Sequence, residues 1–134
     1  MPQRKVLILE DEPAIRNVLY VLLAGLGCEG DVVHNGPQAL ASINRESFDA
    51  VLLDLRCSEL PPEKLVSEII QIQPNLVGRI LVITGEVADP QILALIEQNS
   101  LAHVPRQRVA IELWDRLRTL LGAPASPQAA PRNN

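Results

Sequence analysis

Apolar residues recur along this chain in two alternating rhythms. Val6-Leu7-Ile8-Leu9, Val51-Leu52-Leu53 and Ile80-Leu81-Val82-Ile83 are short continuous runs bounded by charged or turn-forming residues, the pattern of central parallel strands buried on both faces. Together with two less continuous runs they define five expected strands, at Lys5 to Leu9, Cys28 to Val33, Ala50 to Leu53, Arg79 to Ile83 and Leu101 to Val104. Between and after them the apolar spacing changes to three and four. Ile15, Val18, Leu19, Leu22, Leu23 and Leu26 form one stripe, Leu65, Val66, Ile69 and Ile70 another, and Leu113, Trp114, Leu117, Leu120 and Leu121 a third. Pro13, Pro37, Pro62 and Pro90 stand where helices should begin, since proline in the first turn forfeits no intrahelical hydrogen bond and presets φ. Pro74-Asn75 stops the third helix and Gly122 the fifth. Five strands alternating with five helices predict an α/β domain whose parallel sheet is covered on both faces.

Length and composition narrow the picture. With 134 residues, 47% of them hydrophobic, the chain has material for one core, and a single domain is expected over residues 1–121. From Gly122 onward an Ala- and Pro-rich composition lacks the bulk to pack, so 122–134 is expected to be a disordered tail and the function to rest on one module. The net charge of -4 and the scattered basic residues give no electrostatic footprint for nucleic acid. Aromatic content of 2% also removes base-stacking platforms. No apolar run approaches the roughly 20 residues that span a bilayer, and a cytoplasmic location is expected. Cys28 and Cys57 lack the spacing of a disulfide or zinc framework and read as free buried thiols.

Ligands of open parallel sheets bind beyond the carboxyl ends of the strands. There the first strand runs into Glu10-Asp11-Glu12, the third into Asp54, the fourth into Thr84 and the fifth into Val104-Pro105. An acidic pair after a strand is often only a helix-capping loop. Carboxylates from two strands meeting at one rim raise one another's pKa and call for a cation. Magnesium, which takes oxygen ligands and needs only one or two protein carboxylates, suits that demand.

The segments Val6-Leu-Ile-Leu-Glu-Asp-Glu-Pro13, Phe48-Asp-Ala-Val-Leu-Leu-Asp-Leu55 and Ile80-Leu-Val-Ile-Thr-Gly85, in that order and spacing, make residues 4–121 resemble the CheY-like receiver domains of two-component response regulators. The resemblance implies a flavodoxin-like, doubly wound five-stranded sheet in order 2-1-3-4-5. It implies that Glu10, Asp11 and the backbone carbonyl of Arg56 help Asp54 hold Mg2+. Asp54 would accept a phosphoryl group from a histidine kinase or phosphotransfer protein, and Thr84 would contact a phosphoryl oxygen. A stand-alone receiver of this kind is a switch rather than a turnover enzyme. It would signal to a downstream protein target through the face between the fourth and fifth helices, and homodimerisation is a further expectation.

The chain departs from the family at four positions. Val104 stands where receivers carry a lysine before Pro105, Leu101 replaces the aromatic switch residue, and Cys57-Ser58 replace a methionine and proline after the acceptor. Arg56, two residues past Asp54, is the expected substitute for the lysine, with Glu86 as a rival partner for it and Arg106 as a second candidate ranked after it. His34 and His103 are given no role, and Trp114 reads as a core or partner contact. Two alternatives stay open: a degenerate receiver acting as a phosphate-independent interaction or dimerisation module, and, further behind, a magnesium-dependent hydrolase.

Overall fold

The computed structural model describes residues 3–85 and 89–121, so Glu86 and the Pro/Ala-rich tail at 122–134 lie outside the described residues. Strands β1 (Arg4–Leu9), β2 (Cys28–Val33), β3 (Ala50–Asp54), β4 (Ile80–Thr84) and β5 (Ala102–Pro105) alternate with helices α1 (Pro13–Gly25), α2 (Gly36–Arg45), α3 (Pro62–Ile72), α4 (Pro90–Asn99) and α5 (Val109–Leu120). The sheet is parallel throughout, as the apolar pattern predicts, and runs in the order β2-β1-β3-β4-β5 that the family resemblance implies. Side chains alternate across it. Leu7, Leu9, Val51, Leu53 and Val82 join Phe48, Leu65 and Ile69 in one core, while Val6, Ile8, Ala50, Leu52, Leu81 and Val104 join Leu19, Leu113 and Leu117 in the other. The continuous apolar runs thus serve two cores at once.

Four of the five strands differ from expectation by one residue: β1 starts at Arg4, β3 ends at Asp54, and β4 and β5 are each shifted one residue onward. Leu101 closes α4 instead of opening β5. Ser100 adopts a left-handed conformation at φ 51°, which lets the Leu101 amide donate to the Ile96 carbonyl at 2.9 Å and satisfies an orphan carbonyl of the last turn. Arg79 precedes β4: its amide bonds back to Leu76 at 2.8 Å, while its carbonyl accepts from Val51 at 3.0 Å. At α2 the first helical residue is Gly36, one before Pro37, and the Asn35 side chain accepts from the Gln38 amide as its cap. Short 3-10 turns at Leu55–Cys57, Pro74–Leu76 and Arg106–Arg108 were not legible in the apolar pattern. Both cysteines are free and buried, and no described helix is long and apolar enough to cross a membrane.

The chain leaves β1 for β2 on one side and returns across it to β3 on the other, so the carboxyl ends of β1 and β3 frame the crevice where the strand order reverses. Gly36 anchors one wall. Its amide donates to the Ser58 carbonyl at 2.8 Å, and a Cβ at position 36 would lie 2.2 Å from that same oxygen. The loop that follows Asp54 is therefore clamped to the start of α2 through a contact only glycine permits. Gly36→Ala is expected to lower stability by about 1–3 kcal/mol, the usual range for forcing extra atoms into a packed site. In urea denaturation it should shift the midpoint while leaving the slope unchanged.

Candidate functional site

Asp54 is the last residue of β3 and has no solvent-exposed surface. Its carboxylate first serves its own backbone, with Oδ1 accepting the Arg56 amide at 3.0 Å and so capping the turn Leu55–Cys57. Glu10, directly after β1 and equally buried, accepts the Glu12 amide on Oε2 at 3.1 Å. Asp11 is exposed beside it. Carboxylate oxygens of Glu10, Asp11 and Asp54 and the sulfur of Cys57 all lie within 4.8 Å of one another. The three expected acidic residues are therefore brought together, and Cys57 joins them. The sequence offered only its position three residues past Asp54 as a signal.

Two arginines complete the cluster. Arg56 reaches Asp54 with Nη2 at 3.0 Å and Nε at 3.2 and 3.3 Å, yet its side chain is 58% exposed. Arg106 is only 14% exposed and pairs with Asp54 Oδ2, with Glu12 Oε1, and with Glu10 Oε1 at 3.5 Å. Arg56 does pair with the acceptor residue, but Arg106 is the more enclosed cation and the one that joins β1 to β3. The reason is reach: the turn Arg106–Arg108 that follows Pro105 lifts position 106 to the rim, and a guanidinium on a three-carbon stem spans from there to the acidic pair. Val104, at the position of the missing lysine, is wholly buried in the core, and Leu101 is buried in the core on the opposite face.

Thr84 ends β4 one residue beyond Ile83, the register partner of Asp54. Its hydroxyl donates to the Val104 carbonyl at 3.4 Å, and among the described residues no hydrogen bond joins it to Asp54. Thr84 and Arg56 instead share a cleft of about 400 Å³ with Leu55, Ile92, His103 and Pro105. The two arginines therefore flank Asp54 differently, Arg56 toward β4 and Thr84, Arg106 toward β1 and its glutamates. His103 lines this cleft, His34 is exposed, and Trp114 is half-buried near Gly25 of α1, where an added Cβ would lie 2.9 Å from the indole ring.

Burial is the main influence that pushes the Glu10 carboxyl above its ordinary range. The Glu12 amide opposes it, Asp54 adds to it, and Arg106 counters. The Cys57 thiol is pushed up to about 12, chiefly by burial and then by the charges of Asp54 and Asp11. A thiol held protonated is a poor metal ligand, so the usable donors are carboxylate oxygens, and a hard ion such as Mg2+ fits them.

In this doubly wound α/β module a carboxylate cluster that could hold a metal ion lies at the strand-order crossover, where ligands of such sheets bind. The response regulator receiver domain family matches residues 6–118, and the chain belongs to that family. It is 33% identical over 103 residues to a response regulator receiver protein of Anaeromyxobacter sp. (strain Fw109-5), covering 77% of this chain and 42% of that one. It is 32% identical over 116 residues to the sensory transduction protein RegX3 of Mycobacterium tuberculosis, covering 87% of this chain and 50% of the relative. The chain thus spans half or less of these relatives. Among solved structures, the receiver domain of a sensor histidine kinase from Pseudomonas aeruginosa PAO1, with a magnesium ion in its active-site cleft, superposes with a TM-score of 0.75 at 24% identity, covering 91% of this chain and all of that one. A CheY-like receiver domain from Methanospirillum hungatei JF-1 gives 0.77 at 18% identity, covering 90% and 95%. These two likenesses establish the fold.

Because the folded pKa of Glu10 lies above the value of 4.5 expected when unfolded, its neutral form stabilises the fold below that pH, and the contribution is lost as pH rises through the folded value. Glu10→Gln, a permanently neutral mimic, should therefore have a higher urea midpoint than wild type at pH 7 in the absence of divalent ions. The gap should close on acidification below about pH 4.5.

Proposed function

We propose that this receiver domain acts by itself as a phosphorylation switch, accepting a phosphoryl group on Asp54 from a histidine kinase or phosphotransfer protein and signalling by contact with a downstream protein. The observation that carries the reading is Asp54 itself: a buried carboxylate at the crossover, beside Glu10 and Asp11, with guanidinium groups on its oxygens. Glu10, Asp11, Asp54 and the backbone carbonyl of Arg56 would hold Mg2+. When bound, the ion supplies positive charge to the oxygens of the group in transfer.

An oxygen of Asp54 forms the new bond to phosphorus, while the bond to the donor's imidazole nitrogen breaks and that nitrogen keeps the electron pair. Arg56 stands on the β4 side of Asp54, where it serves in place of the absent lysine, and its charge-assisted bonds pass from the carboxylate to the phosphoryl oxygens. Thr84, now bonded to Val104 across the β4–β5 pair, turns toward the roughly two added negative charges. That movement opens the cleft bordered by α4 and β5 to a partner. The reaction is a single loading of the chain and not a turnover, and it belongs in the cytoplasm.

The complete burial of Val104 favours a second reading. With no lysine to clamp the phosphoryl group, the domain would act as a phosphate-independent interaction or dimerisation module. Intact-mass measurement after incubation with Mg2+ and acetyl phosphate separates the two. The proposal expects a gain of one phosphoryl group in wild type and none in Asp54→Asn, with labelling of Arg56→Ala slowed about a hundredfold, as when one preorganised charge-stabilising donor is removed. No gain in wild type, under conditions that label ordinary receivers, supports the second reading. Unchanged labelling of Arg56→Ala sinks the assignment of that arginine.

A further inference from the structure

We propose that Arg106 is an internal cation that closes the metal side of the acidic site, so that a divalent ion enters only by displacing its guanidinium. Glu10 and Asp54, the two buried carboxylates among the clustered donors, are both already paired with Arg106, which also holds Glu12. Arg56 touches Asp54 but not Glu10 among the described contacts, and it opens onto the cleft with Thr84. Among the described residues only Arg106 therefore competes for the pair of oxygens an ion would need. An ordinary surface ion pair would join two mobile, solvated groups. Arg106 is instead largely enclosed and draws on carboxylates from the ends of two neighbouring strands.

Its seat is nevertheless incomplete. Among the described residues the buried Nε of Arg106 has no hydrogen-bond partner, and an unpaired buried donor carries a desolvation penalty. The side chain is thus held by charge, and an ion of higher charge density that satisfies the same oxygens can replace it. Arg106 also opens the turn that leads directly into α5, and α5 lies against α1, with the Trp114 ring next to Gly25. Displacement consequently reports metal occupancy at the head of α5. This inference concerns the unphosphorylated protein and holds whether or not Asp54 ever receives a phosphoryl group.

Calorimetric titration of the full chain with MgCl2 and with MnCl2 tests it. Arg106→Ala and Arg106→Gln should each bind Mg2+ about tenfold or more tightly than wild type, the effect of roughly one and a half kcal/mol of lost competition. Arg56→Ala should gain less than either, and Arg118→Ala, which alters an exposed pair with Asp115, should match wild type. Equal Mg2+ affinity in wild type and both Arg106 variants overturns the proposal, as does a larger gain from Arg56→Ala or the absence of binding in every protein. A second measurement needs no variant. In wild type the Arg106 Nε–H resonance should be protected from exchange without metal and lose protection as Mg2+ is added. A resonance that stays protected at saturation overturns the proposal even if the variants fail to fold.

Discussion

Two carboxylates without solvent, Glu10 and Asp54, stand side by side at the carboxyl edge of adjacent strands, and the rest of the site answers that crowding. Buried like charges are unfavourable unless positive charge compensates them. Here the compensation comes from the chain itself, through one guanidinium on the β1 side and one on the β4 side. Backbone amides take part of the load, with Arg56 donating to Asp54 and Glu12 to Glu10. The upward pressure on the Glu10 carboxyl shows that this balance is only partial. In the proposed reading, a site balanced in this way receives a divalent ion only against the guanidinium already paired with it.

The scaffold explains how such unfavourable groups can be held close together. β1, β3 and β4 are buried on both faces, and their side chains divide between two aliphatic cores that contain almost no aromatic residues. Rigid strands set the spacing of Glu10, Asp54 and Thr84, and the loops beyond them carry the chemistry. The clamp between Gly36 and Ser58 steadies the loop after Asp54 from the far side, while the bond between Thr84 and Val104 ties the end of β4 to β5. The cleft alongside lies between α4 and β5, while Leu101 is buried in the core. Its lining of Ile92, His103 and Pro105 offers a mostly apolar surface next to the acceptor, and in the proposed switch this is the face that carries the signal.

Loss of the usual lysine need not leave the acidic site without a cation. Val104 joins the core beneath α5, and positive charge returns from Arg56, two residues beyond the acceptor, and from Arg106, two residues beyond Val104. The two replacements differ in kind. Arg56 is exposed and open to the cleft, suited to following a ligand; Arg106 is enclosed and tied to the acidic loop, suited to holding the site in one state. A lysine is a compact point charge, whereas arginine presents a planar fork that can bridge two carboxylates, and Arg106 uses that property to join Glu10 and Glu12 with Asp54.

Much of this was legible in the linear chain, because strand and helix periodicity are local properties. The runs at Val6–Leu9, Val51–Leu53 and Ile80–Ile83, with prolines at the helix starts, determined the five alternating units, and the strand ends marked Glu10, Asp11, Asp54 and Thr84 as neighbours on one rim. Spacing could not show that Leu101 belongs to the end of α4, since that depends on a left-handed Ser100 and a backbone bond to Ile96. Nor could it place the Cys57 thiol among the carboxylates or show that Arg106 is more enclosed than Arg56. Those outcomes depend on how far a side chain reaches between strands brought together by folding, and on how much water the surrounding atoms exclude. The sequence by itself determined the elements and the acidic rim; only the tertiary structure decided which cation stands over it, because charge pairing across strands is set by distance and burial in three dimensions.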